Sequence, residues 1–159
     1  MSQQPTVEER LQRLEDLEEI RELFRQYAKR LDRRDFVAWS QLWAKDGEWH
    51  GPDMHGVGGP PGVLEMLQTR FGDRPPTGET HVVTNAVIAL EGDRAHATSF
   101  GLVLRPDGEG RPRTTMIGYY VDDLVREDGR WRFQVRRDYL NLPPYLWTTT
   151  LGPPTTWDA

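Results

Sequence analysis

The spacing of apolar residues changes once along the chain, from the period of a helix to the period of a strand. Between Leu11 and Leu31, apolar residues recur every three or four positions, which predicts one long amphipathic helix. The second half contains four segments with the pattern typical of strands, at residues 80–90, 94–105, 113–126 and 130–140. Because only short turns separate these segments, they predict an antiparallel meander. Helices followed by strands indicate an α+β fold.

Shorter elements are predicted around the long helix and before the strands. Thr6 and Glu9 have the spacing of a capping box at the start of the first helix. Two further helices are expected over residues 36–43 and 63–71, and a short strand near residues 48–50. We therefore expect the helices to pack on one face of a curved, mostly antiparallel sheet, with a cavity between the two layers.

Composition excludes several classes of function. The chain has 159 residues and a net charge of −5, with acids and bases interspersed, so a single domain that does not bind nucleic acid is expected. It contains no cysteine, which excludes disulfides, thiolate nucleophiles and sulfur-ligated metals. No segment has the apolar length of a signal peptide or a membrane span, so we expect a cytoplasmic protein without membrane contact.

Asp32 and His81 are the leading candidates for catalysis. Asp32 comes at the end of the long helix and at the edge of its apolar stripe, where a carboxylate needs a partner. His81 lies within a strongly apolar strand. A carboxylate that meets the ring would fix its tautomer and raise its basicity, as a general base requires. The structural alternative is that Asp32 pairs with Arg33 or Arg34, while His81 is an ordinary strand residue.

Two further polar residues and one tyrosine are placed by the same periodicity. Tyr27, near the centre of the helical stripe, could donate its hydroxyl to a substrate oxygen or simply pack in the core. Asn85 is expected to share a face with His81. Simple alternation puts Arg137 on the apolar face of the last strand, where it would bind an anionic or carbonyl group of a ligand. The alternative for Arg137 is a structural ion pair with one of three carboxylates: Asp32, Asp122 or Asp123.

The loop over residues 51–62 gives little support for a metal site. His50, Asp53 and His55 are close in sequence, but two histidines five residues apart in a Gly- and Pro-rich loop are a weak pattern, so no metal is predicted. His96 follows a turn and is expected at the surface or rim. The glycine-rich and nucleophile-elbow motifs of nucleotide-binding proteins and serine hydrolases do not occur.

Five segments, in this order and at these spacings, resemble the SnoaL-like branch of the nuclear-transport-factor-two-like superfamily. They are Tyr27-x4-Asp32, Leu42–Trp49, His81–Asn85, Gly118–Tyr120 and Asp128–Phe133. The resemblance covers about residues 8–140 and implies a cone-shaped α+β barrel that encloses a pocket. Residues 1–159 would then form a single domain, with the tail at 141–159 acting as a lid or a subunit contact.

Within this superfamily the sequence is similar to scytalone dehydratase, bile-acid 7α-dehydratase and hexachlorocyclohexane dehydrochlorinase, which are cofactor-free lyases that use an Asp–His pair. Asp32 and His81 fall on that pair, and Tyr27 matches the catalytic tyrosine of the bile-acid enzyme. Phe100 stands in place of the second catalytic histidine of scytalone dehydratase, and Tyr120 in place of its pocket asparagine. These two departures make scytalone an unexpected substrate.

The resemblance therefore implies a lyase that needs no cofactor and acts on a small hydrophobic, cyclic molecule, with Tyr27, Asp32 and His81 as catalytic residues. The expected substrate-binding residues are mostly apolar or aromatic: Trp39, Trp43, Met66, Val83, Asn85, Phe100, Met116, Tyr120 and Arg137. Homo-oligomers, trimers or dimers, are also implied, and three tail aromatics suit an interface: Tyr145, Trp147 and Trp157.

Three other classes of function remain open. A ketosteroid-isomerase-like or polyketide-cyclase-like enzyme would use one carboxylate as its base. A ligand-binding protein, or one similar to the small subunit of ring-hydroxylating dioxygenases, would need neither Asp32 nor His81. An epoxide hydrolase would require an Asp–Arg–Asp set around a water molecule, which Arg137 and Asp122 could imitate.

Overall fold

The computed structural model describes residues 4–52, 54–72 and 74–139. This part of the chain forms three helices and six strands. The helices are α1 (Val7–Asp32), α2 (Phe36–Ser40) and α3 (Gly59–Phe71). The strands are β1 (Trp43–His50), β2 (His55–Gly56), β3 (Thr80–Glu91), β4 (Arg94–Pro106), β5 (Pro112–Glu127) and β6 (Arg130–Asp138).

The six strands form one curved sheet against which the helices pack. The strand order is β2-β1-β6-β5-β4-β3, and all neighbours are antiparallel except β1 and β6, which run parallel. The predicted α+β fold and the meander of the last four strands are confirmed. The sheet does not close into a full barrel, because β2 and β3 remain its two edges.

Helix α1 begins with the capping box that the sequence predicts. The Thr6 hydroxyl accepts a hydrogen bond from the backbone N–H of Glu9 at 3.1 Å, and the Glu9 carboxylate accepts from the backbone N–H of Thr6 at 2.7 Å. These reciprocal bonds satisfy two donors that a helix start otherwise leaves free. The inward face of α1 is buried mainly through five residues: Ile20, Leu23, Phe24, Tyr27 and Ala28.

Helix α2 is shorter than predicted. It ends at Ser40 instead of continuing to residue 43, and β1 begins at Trp43 rather than near residue 48. The backbone N–H of Phe133 donates to the carbonyl of Leu42 at 3.0 Å, and Trp43 pairs with Phe133 in the parallel β1–β6 ladder. The prediction was wrong because pairing with a strand 90 residues away outweighs the local helical spacing.

An irregularity in β6 reverses which of its residues face the core. Phe133 and Val135 each pair with a residue of β5, but Gln134 between them has no partner there. One extra residue in a strand sends every later side chain to the opposite face of the sheet. Arg136 is consequently fully buried, whereas Arg137 lies on the outer face, partly exposed.

The prediction that Arg137 faces the apolar side is therefore wrong. Its guanidinium donates to the Asp123 carboxylate at 2.9 Å, and the other oxygen of that carboxylate lies 2.9 Å from Nδ1 of His96. Arg137 thus forms the structural ion pair that was the alternative to ligand binding. His96 lies partly exposed on this outer face, in agreement with its expected place at the surface or rim.

Arg136 forms a fully buried ion pair with Asp122. Its Nε and Nη2 donate to the two carboxylate oxygens at 2.7 and 2.8 Å. Burial raises the pKa of Asp122, and the adjacent guanidinium opposes part of that shift. The Arg136 guanidinium carbon lies between 4.2 and 5.1 Å from the centroids of four aromatic rings: Phe24, Tyr27, Tyr120 and Phe133.

Two more predicted pocket residues lie outside the pocket. The β3–β4 register shifts between Thr84 and Val87, and Asn85 in this irregularity has a φ of +54° and is exposed, so it does not share a face with His81. Phe100 is also misplaced by the prediction. Its neighbour Ser99 pairs with Tyr120, which faces inward, so Phe100 itself lies on the opposite face of the sheet.

The described residues include no helix that is long and apolar enough to cross a membrane. The tail at 141–159, including Tyr145, Trp147 and Trp157, lies outside the described residues. Its expected role as a lid or a subunit contact, and the expected oligomers, stay predictions.

Loss of the buried carboxylate should unfold the protein much more readily than loss of its neighbour. Asp122→Asn leaves the enclosed guanidinium of Arg136 without a counter-ion, and we expect the free energy of unfolding to fall by about 3–5 kcal/mol. The matched control is Asp123→Asn, which removes a partly exposed carboxylate and should cost about 1 kcal/mol or less. Urea unfolding followed by circular dichroism measures both, and equal losses would contradict the importance of the buried pair.

Candidate functional site

A cavity of about 440 Å³ lies between the helices and the inner face of the sheet. We call it the central cavity. Aromatic and apolar side chains supply most of its wall, including Leu31, Trp39, Trp49, Met54, Met66 and Met116. Its size is within the range of sites that bind small molecules.

Asp32 and His81 meet at the wall of the central cavity. Oδ1 of Asp32 lies 2.6 Å from Nδ1 of His81, and the backbone N–H of His81 is 3.0 and 3.1 Å from the two carboxylate oxygens. The His81 side chain is 14% exposed and lines the cavity, while that of Asp32 is 21% exposed and lies behind it. The carboxylate therefore supports the ring without lining the cavity itself.

The position of each partner explains why they bind. Asp32 is the last residue of α1, where the partial negative charge of a helix end disfavours a carboxylate unless donors surround it. His81 lies in β3, an edge strand, so backbone N–H groups along one side of that strand have no neighbouring strand to bind. The contact satisfies both requirements, and it also joins the end of α1 to the edge of the sheet.

This hydrogen bond determines which nitrogen of His81 could act as a base. An ionised carboxylate only accepts hydrogen bonds, so Nδ1 of the neutral ring must carry the hydrogen. Nε2 then keeps its lone pair. A ring held in this tautomer, with a carboxylate ready to stabilise the imidazolium, has the arrangement of a general base.

Tyr27 is enclosed by aromatic rings and lines the same cavity. Its ring centroid lies 5.3 Å from that of Trp39 and 5.7 Å from that of Tyr120. The Tyr27 hydroxyl accepts a hydrogen bond from Nε1 of Trp49 at 3.3 Å. Burial raises the pKa of Tyr27 to about 12, although the charge of Arg136 opposes this shift. The phenol is therefore protonated near neutral pH and able to donate.

The predicted substrate-binding residues divide into two groups. Four line the central cavity: Trp39, Met66, Met116 and Tyr120. Five do not: Trp43, Val83, Asn85, Phe100 and Arg137. Trp43 is fully buried behind Trp39, with ring centroids 4.0 Å apart, so it supports the wall instead of forming it. Val83 lies beside Asp32 in a shallow groove on the outer side of the dyad.

Sequence reasoning missed the charged residues of the cavity wall, which are Arg34, Arg70, Glu79, Arg105 and Asp138. Asp138 was assigned to the outer face because the irregularity at Gln134 could not be seen in the alternation. Thr80 pairs with Leu104 in the β3–β4 hairpin, and Glu79 and Arg105, the next residue on each strand, form an ion pair. The register of the hairpin could therefore have predicted that these two residues meet. For Arg34, no comparable signal exists in the sequence.

The histidine loop resembles a metal site only in part. Nδ1 of His50 lies 3.3 Å from Nδ1 of His55, and Nε2 of His50 lies 2.7 Å from the Glu48 carboxylate. Among residues 4–52, 54–72 and 74–139, no group of three or more ligand-type side chains is arranged to hold a metal ion. Asp53, the third residue of the weak pattern, lies outside these ranges.

The raised pKa of Tyr27 predicts a loss of stability in alkali. The unfolded chain ionises this phenol near its ordinary pKa of about 10, whereas the folded protein holds the proton until about pH 12. Stability from this group is fully present below pH 10 and is lost as the pH rises to 12. In Tyr27→Phe, the free energy of unfolding should decline less steeply over this range than in the wild type.

Urea unfolding at intervals from pH 8 to pH 11.5 measures how the free energy of unfolding of each protein changes with pH. The difference between variant and wild type at pH 8 serves as the baseline, since it contains the costs of the substitution that do not depend on ionisation, including loss of the hydrogen bond from Trp49. Parallel curves for the two proteins would show that Tyr27 does not hold its proton more tightly when folded.

Comparison with known proteins agrees with this architecture. Residues 12–137 match the family model described as a SnoaL-like domain. None of the curated proteins matches the sequence. An NTF2-like protein with a cystatin-like fold from Novosphingobium aromaticivorans is 28% identical, with a TM-score of 0.73 over 80% of this chain and 83% of that one.

Two more distant solved structures share the fold. One, from the same organism, is provisionally named a scytalone dehydratase and is 23% identical, with a TM-score of 0.67 over 80% of this chain and 84% of that one. The other is the β subunit of a provisionally assigned aromatic-ring-hydroxylating dioxygenase from that organism. It is 19% identical, with a TM-score of 0.68 over 84% of this chain and 93% of that one. Because the family model spans most of the sequence, the chain belongs to the SnoaL-like family.

Proposed function

We propose that this protein is a cofactor-free lyase that eliminates water, or a related leaving group, from a small hydrophobic cyclic molecule. The observation that carries this proposal is the 2.6 Å contact between Asp32 and His81 at the wall of a largely apolar cavity. The fold alone would not support it, since the same architecture occurs in proteins with unrelated names.

In the proposed reaction, Nε2 of His81 removes a proton from the carbon next to a carbonyl group. The electron pair of the broken C–H bond forms an enolate, and the Asp32 carboxylate stabilises the imidazolium that results. Collapse of the enolate then expels the hydroxyl group from the adjacent carbon. That hydroxyl takes the proton from the imidazolium and leaves as water, so the net change is loss of one water molecule.

Tyr27 supplies a hydrogen bond to the oxygen on which negative charge develops. Because Nε1 of Trp49 donates to the phenol oxygen, the phenol hydrogen remains available for the substrate. The raised pKa keeps this hydrogen in place at neutral pH. A donor buried among aromatic rings, as Tyr27 is, stabilises developing charge more strongly than the same donor in water.

A simple cyclic probe tests the chemistry. The ketone 3-hydroxy-1-tetralone loses water from adjacent carbons to form 1-naphthol, whose fluorescence reports the rate. We expect the wild type to accelerate this elimination, and His81→Ala and Asp32→Asn each to lower kcat/KM by about 100-fold or more. Both variants should keep the circular dichroism spectrum of the wild type.

The chain provides a matched control in its second histidine–aspartate pair. His96→Ala removes a histidine bound to Asp123 on the outer face of the sheet, and it should leave kcat/KM unchanged within about twofold. Wild-type protein that forms no 1-naphthol above the uncatalysed rate would contradict the proposal. So would a His81→Ala variant that retains activity within tenfold of the wild type.

A second candidate function rests on Asp138, which lines the central cavity beside the two buried tyrosines. Burial is the main cause of the raised pKa of Tyr27 and Tyr120, and the charge of Asp138 adds to it. One carboxylate base facing two phenol donors suits a ketosteroid-isomerase-like reaction, in which a proton leaves one carbon and returns to another.

The two candidates differ in the residue on which turnover depends. Isomerisation of 3-cyclohexenone to 2-cyclohexenone, followed by ultraviolet absorbance, requires only proton transfer. If His81 is the base, His81→Ala should lose about 100-fold in kcat/KM, while Asp138→Asn retains activity within about tenfold. The opposite order would identify Asp138 as the base and favour the isomerase.

A further inference from the structure

Three arginine side chains line the central cavity. Arg34 follows the end of α1, Arg70 lies in the last turn of α3, and Arg105 lies near the end of β4. The acids that line the same cavity are Glu79 and Asp138. These five charged residues lie in the wall of a cavity that is otherwise largely apolar.

Arg34 has an unusual position for an arginine. Its φ of +59° lies in the left-handed region, and the residue after a helix cap in this conformation is usually glycine. A side chain there costs about 1 kcal/mol. The backbone N–H of Arg34 donates to the carbonyl of Leu31 at 3.0 Å, so the strained turn holds the side chain against the cavity.

Arg34 is partly buried, and one nitrogen of its guanidinium is cut off from solvent without a partner in the described part of the chain. Its Cζ lies 4.4 Å from the ring centroid of Phe71 and 5.7 Å from that of Phe36. Nη1 is buried and has no hydrogen-bond partner among the residues that the structure describes. A buried donor without a partner costs about 1–3 kcal/mol, and more when it is charged. A ligand group that accepts this hydrogen bond would remove that cost.

The surroundings of Arg34 increase its need for an anion. Burial lowers the pKa of Arg34, and the positive charges of Arg105 and Arg74 lower it further. Arg105 already forms an ion pair with Glu79, so its charge is partly balanced. Within the described residues, no such ion pair is found for Arg34.

We propose that the natural ligand of the central cavity is a cyclic apolar molecule bearing one singly charged acidic group, such as a carboxylate or sulfonate, that binds Arg34. This inference rests on the proposed function, because it describes the substrate of the same site. The planar guanidinium offers two parallel donors to such a group, and Phe71 holds its plane in place. A single negative charge matches the single charge of Arg34, whose buried Nη1 has no partner among the described residues.

Anchoring at Arg34 would also orient the substrate. The acidic group and the reacting carbon must reach Arg34 and His81 at the same time, since both residues line one cavity. Binding energy from the remote charge would then hold the α-carbon near the base, which raises the rate of proton removal.

Two fluorescent probes with the same skeleton test the proposal. 8-Anilino-1-naphthalenesulfonate carries one negative charge, and N-phenyl-1-naphthylamine is its neutral counterpart. We expect the wild type to bind the sulfonate about tenfold more tightly than the amine. A hydrogen bond between charged groups lowers Kd by about this factor. Arg34→Gln should remove this preference and change the Kd of the amine by less than about twofold.

Two further variants separate the guanidinium from folding and from net charge. Arg34→Gly removes the side chain at a φ that glycine adopts without strain, so it should fold and also lose the preference. Arg33→Gln removes one positive charge from the adjacent exposed residue and should keep the preference within about twofold.

The outcomes distinguish this inference from the proposed function. Equal binding of the two probes by the wild type, or a preference retained in both Arg34 variants, would overturn the acidic-ligand proposal while leaving His81 catalysis intact. A preference that depends on Arg34, together with no elimination activity, would overturn only the lyase. Failure of both probes to bind would overturn the ligand-binding cavity on which the two proposals depend.

Discussion

The buried pair of Arg136 and Asp122 is the constraint on which the interior depends. A charged guanidinium without exposure is tolerated only because the carboxylate takes two hydrogen bonds and four aromatic rings face the cation. Two of these rings, Tyr27 and Phe24, come from α1, and the other two come from β5 and β6. The pair therefore determines how the long helix sits on the sheet and where the Tyr27 hydroxyl lies.

The same packing separates two histidine–aspartate pairs that look alike in the sequence. His81 and Asp32 meet where the end of α1 covers the edge strand, and the ring lines the central cavity. His96 and Asp123 meet on the outer face, where both are partly exposed and Arg137 shares the carboxylate. Residue type and contact distance are similar in the two pairs. Access to a largely apolar cavity distinguishes them, and this is why we propose a catalytic role for the first.

The charged part of the cavity changes the substrate that the site suits. Apolar and aromatic side chains alone would favour a neutral molecule, and the only ligand-binding charge expected from the sequence was that of Arg137, which lies on the outer face. Arg34, held in a strained backbone conformation with a buried and unpaired nitrogen, introduces a requirement for negative charge at one place in the wall. An amphiphilic ligand satisfies both features, with its rings among the aromatics and its acidic group at Arg34.

The sequence by itself determined the order and type of the long elements, because capping residues, apolar periodicity and turn residues act locally. Thr6 and Glu9 gave the start of α1, and the four strands of the meander were predicted nearly to the residue. Family resemblance, more than periodicity, pointed to Asp32 and His81. Only the tertiary structure decided which face Asn85, Phe100 and Arg137 occupy.

The reason lies in strand irregularities and long-range pairing. A single unpaired residue, Gln134, exchanges Arg137 for Arg136 in the core and turns Asp138 toward the cavity, and no local pattern marks that insertion. The contact of Arg34 with α3, through Phe71, likewise depends on how the end of α1 meets that helix. Local chemistry fixed what the elements are, whereas pairing between distant strands fixed which side chains face the cavity.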